Sequence, residues 1–226
     1  MPYNINEFRV TAYNAMLNKS QRGNSISDSQ VPKESQFNLL ANNAVLSCYE
    51  QDYNIWVASK GQNLTQFLQT YLKSKTLSLP VTGRLNFPSD FQHTAAMGIF
   101  YDNAGDTGVV SADPTTLADK NTVFFSQKYT PTALFPKYTE YASYYQIKPQ
   151  DSGIVYLDYF KTPNFPTWGY TIVDDAAVYD SATSVNFEFD EYTAPRVIGE
   201  FIKIVGINLK DDQLIKFGET YAQENQ

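Results

Sequence analysis

Few side chains in this sequence could carry out catalysis or bind a metal ion. The chain of 226 residues contains one histidine, His93, and one cysteine, Cys48. A site with several histidine ligands is therefore excluded. Cys48 lies within an apolar helical pattern that predicts a packed core thiol, and His93 begins a predicted strand, where we expect a hydrogen-bonded structural residue. The sequence also contains no glycine-rich phosphate-binding motif and no GxSxG serine motif.

The acidic residues offer another route to chemistry, because two carboxylates are enough to hydrolyse a glycoside. Asp174 and Asp175 are adjacent, and Glu188, Asp190 and Glu191 follow. The first pair lies at a predicted turn, and the second group precedes a predicted helix, where acids interact favourably with the helix dipole. A chain with 24 acidic residues contains such pairs by chance. We therefore expect no catalytic residue, no metal site and no cofactor, and a protein that is not an enzyme.

Residues 102–113 resemble a calcium-binding loop only in part. In an EF-hand loop, position 3 carries an oxygen side chain, position 6 is glycine and position 12 is glutamate. Here those positions hold Ala104, Thr107 and Asp113. The segment therefore favours a hairpin turn over a calcium site.

Aromatic residues are unusually abundant, with 17 tyrosines and 15 phenylalanines, while charged residues make up only 18% of the chain. Tyrosine is enriched, and charge depleted, at the cores of protein interfaces, although tyrosine also fills ordinary sheets. A tyrosine cluster could alternatively stack on sugars or on single-stranded nucleic acid. We favour a subunit interface, and its predicted residues are Tyr141, Tyr144, Tyr145, Tyr156, Tyr159, Trp168 and Tyr170.

The net charge argues against a protein that grips nucleic acid. The chain carries a formal charge of −7 and has no run of lysine or arginine. Neutralising phosphates requires a basic face. The N-terminal residues lack the pattern of a secretory signal, and no stretch of 18 apolar residues predicts a membrane span.

Hydrophobic periodicity predicts an α+β fold in which N- and C-terminal helices form a helical bundle with an inserted antiparallel β block. Residues 1–80 read as helical, residues 81–192 as β-rich, and residues 193–226 as helices that pack on the N-terminal region, so that the whole is one structural unit. The strongest helix spans residues 36–57. A further helix starts at Asn63 as its N-cap and continues through Leu72.

Strands are predicted at residues 84–87, 95–101, 122–125 and 185–189, with a hairpin that pairs residues 141–147 with residues 154–160. In the C-terminal region, Pro195 suits a first helical turn, Gly206 a C-terminal left-handed cap, and Asp211 the N-cap of the last helix.

Three segments of the chain form an ordered set of motifs. They are Gly83–His93, then Phe135–Tyr138 running through Tyr144–Pro149, Val155–Pro163 and Pro166–Tyr170, and finally Val185–Asp190 with Ile198–Glu200 and Gly206–Leu209. In this order they resemble structural proteins of podovirus-like and crAss-like tailed bacteriophages that infect Bacteroidota, among them the head–tail connector or portal-ring adaptor proteins. The resemblance covers roughly residues 35–225, and no single motif is diagnostic.

The resemblance implies a virion structural protein at the head–tail junction, made in the host cytoplasm and assembled into a ring of about twelve copies. Its partners would be further copies of itself, the portal protein and neighbouring tail or ring proteins, with passive contact to genomic DNA and none to a membrane. Twelve copies at −7 each would carry about −84, and such a wall would not hold a DNA duplex. The alternative is a carbohydrate-binding or receptor-binding tail protein.

Overall fold

The computed structural model describes residues 1–20, 32–102, 108–125 and 130–224. Its helices are α1 (Ile5–Ser20), α2 (Glu34–Ala58), α3 (Gln66–Gln69), α4 (Lys120–Phe125), α5 (Ala194–Leu209) and α6 (Asp212–Glu224). Its strands are β1 (Leu72–Leu79), β2 (Arg84–Asn86), β3 (Phe91–Tyr101), β4 (Val110–Ser111), β5 (Asp113–Pro114), β6 (Lys137–Glu140), β7 (Tyr144–Lys148), β8 (Gly153–Lys161), β9 (Tyr170–Val173) and β10 (Ala176–Tyr179).

The predicted α+β class is confirmed, with helices at both ends of the chain and antiparallel and mixed sheets between them. The chain divides into two compact units, one of residues 1–70 with 163–226 and one of residues 71–162. The helical unit therefore also includes residues 163–192, which the hydrophobic pattern had placed in the β-rich region. Within the helical unit, α5 packs against α1, α2 and α6.

Helix α2 forms where the apolar stripe predicted it, and it buries one face. That face includes Phe37, Leu40, Val45, Cys48 and Tyr49. Residues at this spacing lie on one side of a helix, so their burial stabilises α2 against the helical core. Aromatic rings dominate that core, because Phe8 of α1, Phe37 of α2 and Phe201 of α5 lie within 6.2 Å of one another, centroid to centroid.

One charged residue is buried beside this core. Asp52 of α2 has 1% of its surface exposed. Its carboxylate lies 2.6 Å from a guanidinium nitrogen of Arg196 on α5 and accepts a hydrogen bond from the Thr65 hydroxyl at 2.5 Å. The Thr65 oxygen accepts in turn from the backbone N–H of Leu68, which caps α3. Asp52 thus links three helices through one carboxylate.

The helix predicted from Asn63 to Leu72 is confirmed only over the short helix α3 (Gln66–Gln69), and its predicted cap and end are wrong. Thr65 is the capping residue, α3 ends at Gln69, and β1 begins at Leu72. Strand β1 pairs along its whole length with β8, from Leu72 opposite Phe160 to Leu79 opposite Gly153. A helical spacing of five apolar residues is a local signal, and pairing with a distant strand overrides it.

The unit of residues 71–162 contains two four-stranded sheets, in the orders β1-β8-β3-β4 and β2-β7-β6-β5. The predicted hairpin between residues 141–147 and 154–160 is wrong, since β7 and β8 belong to different sheets. The turn at residues 149–152 carries the chain from one sheet to the other. One apolar cluster joins the sheets and includes Leu79, Leu85, Met97, Ile99, Tyr101, Tyr145, Ile147, Val155, Leu157 and Tyr159.

Of the other predicted strands, some are confirmed and others are wrong. The strands predicted at residues 84–87 and 95–101 are confirmed as β2 and β3, whereas residues 122–125 belong to helix α4. The predicted strand at residues 185–189 is reduced to a single bridge between Val185 and Thr167. The turn predicted within residues 102–108 lies mainly outside the described residues.

The C-terminal helices begin as predicted, but α5 does not end at Gly206. Pro195 lies in the first turn of α5, and Asp211 caps α6 by accepting from the N–H groups of Gln213 and Leu214. Helix α5 runs on to Leu209, and Lys210 adopts the left-handed cap. Gly206 serves packing instead, because a Cβ there would lie 2.9 Å from the backbone nitrogen of Ile215 on α6.

Candidate interaction arm

Strands β9 and β10 form an antiparallel hairpin, which we call the arm (residues 170–179). Asp174 and Asp175 make its turn, as predicted, and both have positive φ angles of 49° and 60°. Two left-handed residues in a two-residue loop match the type I′ geometry that fits the twist of paired strands. Aspartate tolerates this conformation better than most residues. The two acids are therefore explained by the turn.

The arm is anchored through Trp168, immediately before β9. The backbone N–H of Trp168 donates to the side-chain oxygen of Asn38 on α2 at 2.8 Å, and the Asn38 amide donates back to the Trp168 carbonyl at 3.3 Å. The indole N–H donates to Asn6 on α1 at 3.1 Å. The Arg9 guanidinium lies 3.8 Å from the ring centroid, a distance typical of a cation–π contact. Both N-terminal helices thus hold the base of the arm.

A second set of hydrogen bonds joins the segment before β9 to the segment after β10. The N–H of Asp180 donates to the carbonyl of Gly169, and the N–H of Gly169 donates to the Ser184 hydroxyl, both at 2.9 Å. A Cβ on Gly169 would lie 2.2 Å from the Thr183 hydroxyl oxygen and 2.7 Å from its carbonyl carbon. Glycine is therefore required where the two segments cross.

The arm itself exposes apolar side chains on both faces. The exposed fractions are 40% for Tyr170, 63% for Ile172, 51% for Val173 and 46% for Val178. Within the described residues, the sheet has only these two strands. An isolated two-stranded hairpin is marginally stable in water, and exposed apolar strands with open edges are sites of pairing with other chains. The anchored base and the uncovered strands together indicate an element made for contact.

A comparison with β1 supports this interpretation. Strand β1 is also a sheet edge, but it carries Lys73 and Lys75, both exposed, opposite Tyr159 and Leu157 of the core face of β8. Lysines placed in this way are a common protection against edge-to-edge association. The arm contains no lysine, arginine or proline. Strand β1 is therefore protected against pairing with another chain, whereas the edges of the arm are not.

The structure separates the residues predicted for a subunit interface into exposed and buried groups. Tyr170 lies on the arm and Tyr156 is 44% exposed on β8, whereas Tyr141 and Tyr144 are half-buried. The remaining three belong to the core of this chain, with exposed fractions of 0% for Tyr145, 4% for Tyr159 and 2% for Trp168. Their side chains are not available to a second subunit, because packing within the chain already covers them.

The tyrosine pair at the start of β7 does not offer an open stacking surface. The rings of Tyr141 and Tyr144 lie parallel, with centroids 4.6 Å apart. Arg84 lies 4.0 Å from the Tyr144 centroid, and Lys120 lies 5.2 Å from the Tyr141 centroid and bonds to its hydroxyl. A sugar or base binds a free aromatic face, and these faces already contact other groups. The geometry disfavours a stacking site at this pair.

The other residues that the sequence offered for chemistry, among them His93, Glu188 and Asp190, lie in ordinary structural environments. His93 lies in β3, as predicted, opposite Phe160. Glu188 accepts from the backbone and side-chain N–H groups of Asn164, and Asp190 accepts from the N–H of Thr193 ahead of α5. Over the described ranges, no group of three or more histidine, cysteine, aspartate or glutamate side chains could hold a metal ion.

Cys48 is expected to resist alkylation in the folded protein. Its side chain is 1% exposed, and burial raises the pKa of the thiol to about 12, so very little reactive thiolate exists at about pH 8. We expect iodoacetamide to react at least about 100-fold more slowly with the native protein than with the denatured protein. Mass spectrometry of the adduct over time measures both rates. Equal rates would show that Cys48 is exposed.

The apolar strands of the arm were missed by the sequence analysis, which selected Trp168 and Tyr170 but not Ile172, Val173 or Val178. A signal was present, because two short β-prone runs separated by two aspartates are typical of a tight hairpin. Exposure of these side chains could not be read from the pattern, since alternating and continuous apolar runs both occur in buried strands.

In the part of the chain that the structure covers, no helix has the length and apolar character needed to cross a membrane. A comparison with protein-family models found no match for the chain, and a comparison with curated proteins found none either.

Proposed function

We propose that this chain is a non-enzymatic virion structural protein, a subunit of a ring that connects the portal and capsid of a tailed phage to its tail and lines the DNA passage. The anchored apolar arm is the observation that carries the proposal. A protein that acts alone gains nothing from an uncovered hairpin of this composition, whereas a subunit buries it on assembly. The ordered motifs that resemble connector proteins supply the phage context.

The charge of the chain agrees with a passage for DNA. At −7 per copy, a ring has an acidic or neutral wall unless its lysines face inward together. Such a wall makes few phosphate contacts, so the duplex slides past it. A basic inner wall in the assembled ring would argue against this part of the proposal.

The test is the mass of the purified protein in solution, alone and mixed with the cognate portal, measured by light scattering and native mass spectrometry. We expect a ring bound to the portal, because heterologous contacts that close generate a ring, and the resemblance to connector proteins implies about twelve copies. A monomer that ignores the portal contradicts the proposal. Glycan-array binding by that monomer would then favour a carbohydrate-binding or receptor-binding tail protein, for which the covered Tyr141–Tyr144 pair offers no support.

A further inference from the structure

An apolar groove lies on the helical unit at one end of the α2–α5 pair. These helices run antiparallel, since Asp52 of α2 meets Arg196 of α5 while Ser47 meets Glu200. The groove has a volume of about 450 Å³. It lies between the N-terminal end of α2 and the C-terminal end of α5. The residues that line it are Pro32, Gln36, Leu39, Leu40, Val205, Asn208 and Leu209.

No charged residue lines the groove, and two of its three leucines are accessible. Leu39 is 61% exposed and Leu209 is 36% exposed. Exposed leucines beside a concave surface are typical of a site that accepts an apolar segment of a partner. The helical unit therefore carries both an apolar groove and, on the arm, exposed apolar side chains of the kind that such a groove accepts.

The charges around the two features are complementary. The tip of the arm carries Asp174 and Asp175, both exposed. The groove is flanked by Lys33 and Lys210, which are also exposed and have no ion-pair partner within the described part of the chain. In a protein of net charge −7, two lysines at one apolar groove form a local basic rim. An acidic tip is attracted to such a rim.

The acids nearest to the rim only partly offset it. Glu34 is paired with Arg9 at 3.3 Å. Asp211 is directed to the N-terminus of α6, where its carboxylate accepts two backbone N–H groups. Asp212 is exposed in the same turn and cancels one positive charge at most. Counted formally, Lys33 and Lys210 are balanced by Asp211 and Asp212, but Asp211 is held at the N-terminus of α6, so the two lysines are the charges at the groove left to pair with an acidic tip.

We propose that the groove of one copy binds the arm of a second copy of this chain. The apolar side chains Ile172, Val173 and Val178 would bury against Leu39 and Leu209, and the acidic tip would face the basic rim. This inference rests on the proposed function, because it names the contact through which copies assemble.

The contact would join two different surfaces of the molecule. Trp168, at the base of the arm, is bonded to Asn38, whereas the groove is lined by Leu39, and consecutive helical residues point about 100° apart. A contact between unlike surfaces is heterologous, so repeating it builds a closed ring or an open filament rather than a two-fold dimer. The geometry thus agrees with a ring subunit.

The test is a charge exchange between two variants of the full-length protein. The first carries Asp174→Lys and Asp175→Lys on the arm, and the second carries Lys33→Glu and Lys210→Glu at the groove. Lysine already occupies positive φ angles at Lys60 and Lys210 in this chain, so it is compatible with the turn. We expect each variant alone to self-associate roughly 10-fold or more weakly than wild type, and an equal mixture of the two to recover association.

Sedimentation velocity measures association, and thermal melting of each variant serves as the control for folding. If the wild type associates but the variants match it, or if mixing restores nothing, the groove is not the partner of the arm, although the connector proposal stands. If the wild type stays monomeric alone and binds the portal only as single copies, the second copy is excluded as the occupant. If the groove variant then loses binding to the portal, the occupant is the portal protein. A protein that neither self-associates nor binds the portal contradicts the proposed function itself.

Discussion

Replacing Ile172, Val173 and Val178 together with threonine is expected to abolish assembly of the proposed ring and to leave the fold intact. Threonine keeps the branched shape and the strand preference of valine and isoleucine, so the hairpin still forms. The three side chains are 46–63% exposed and have little burial to lose, so the free energy of unfolding should change by less than about 0.5 kcal/mol per site. In the assembly, each lost apolar contact costs about 1–2 kcal/mol, enough together for a loss of at least 100-fold in affinity.

The matched control is Val81→Thr, the same change at a residue that is 66% exposed outside the arm. We expect this variant to assemble like wild type. Sedimentation velocity reports the assembly, and urea denaturation followed by circular dichroism reports the stability. Normal assembly of the triple variant would remove the arm from the interface. A large loss of stability would instead show that the arm packs within its own chain.

Arg196→Met is expected to destabilise the helical unit strongly, although the arginine itself is partly exposed. The side chain of Arg196 is 22% exposed, but its partner Asp52 is 1% exposed and would be left as a buried carboxylate without a cation. Removing one partner of a buried ion pair costs about 3–5 kcal/mol, mainly because the remaining charge is not solvated. Urea denaturation measures this cost.

A second substitution tests that reason. The double variant Asp52→Asn/Arg196→Met removes the buried charge, and the amide oxygen of asparagine can still accept from the Thr65 hydroxyl. We expect the double variant to be more stable than Arg196→Met alone, because a neutral amide is less costly to bury than a carboxylate. An equal or lower stability would show that packing, rather than charge, explains the loss.

Lys203→Met on the same helix is the matched control. Lys203 lies 3.5 Å from Glu200 one turn earlier, and its side chain is 30% exposed. An accessible ion pair of this kind contributes about 0–1 kcal/mol. Comparing the stability lost in Arg196→Met with that lost in Lys203→Met therefore measures the effect of burying the acidic partner, which is 1% exposed for Asp52 and 14% exposed for Glu200.

The sequence alone predicted those helices and turns whose formation depends on residues that are close together in the chain. The stripe through Phe37, Leu40, Ala44 and Cys48 predicted α2, since helical spacing buries one face whatever lies opposite. Pro195 and Asp211 predicted the starts of α5 and α6, because capping depends on the first turn alone. The aspartate pair predicted the turn of the arm for the same reason.

Contacts between distant segments were decided by the tertiary structure. Leu72 became a strand residue through its pairing with Phe160, and Tyr141–Ile147 and Ile154–Phe160 went to different sheets although they are neighbours in sequence. Trp168 and Tyr170 look alike as interface candidates, yet one is buried under Arg9 and the other lies on the exposed arm. Composition determined that this chain is rich in aromatic residues and poor in charged ones. Only the packing of α1 and α2 around Trp168 decided which of these aromatic side chains stay exposed near the arm, because burial depends on what the fold brings against each side chain.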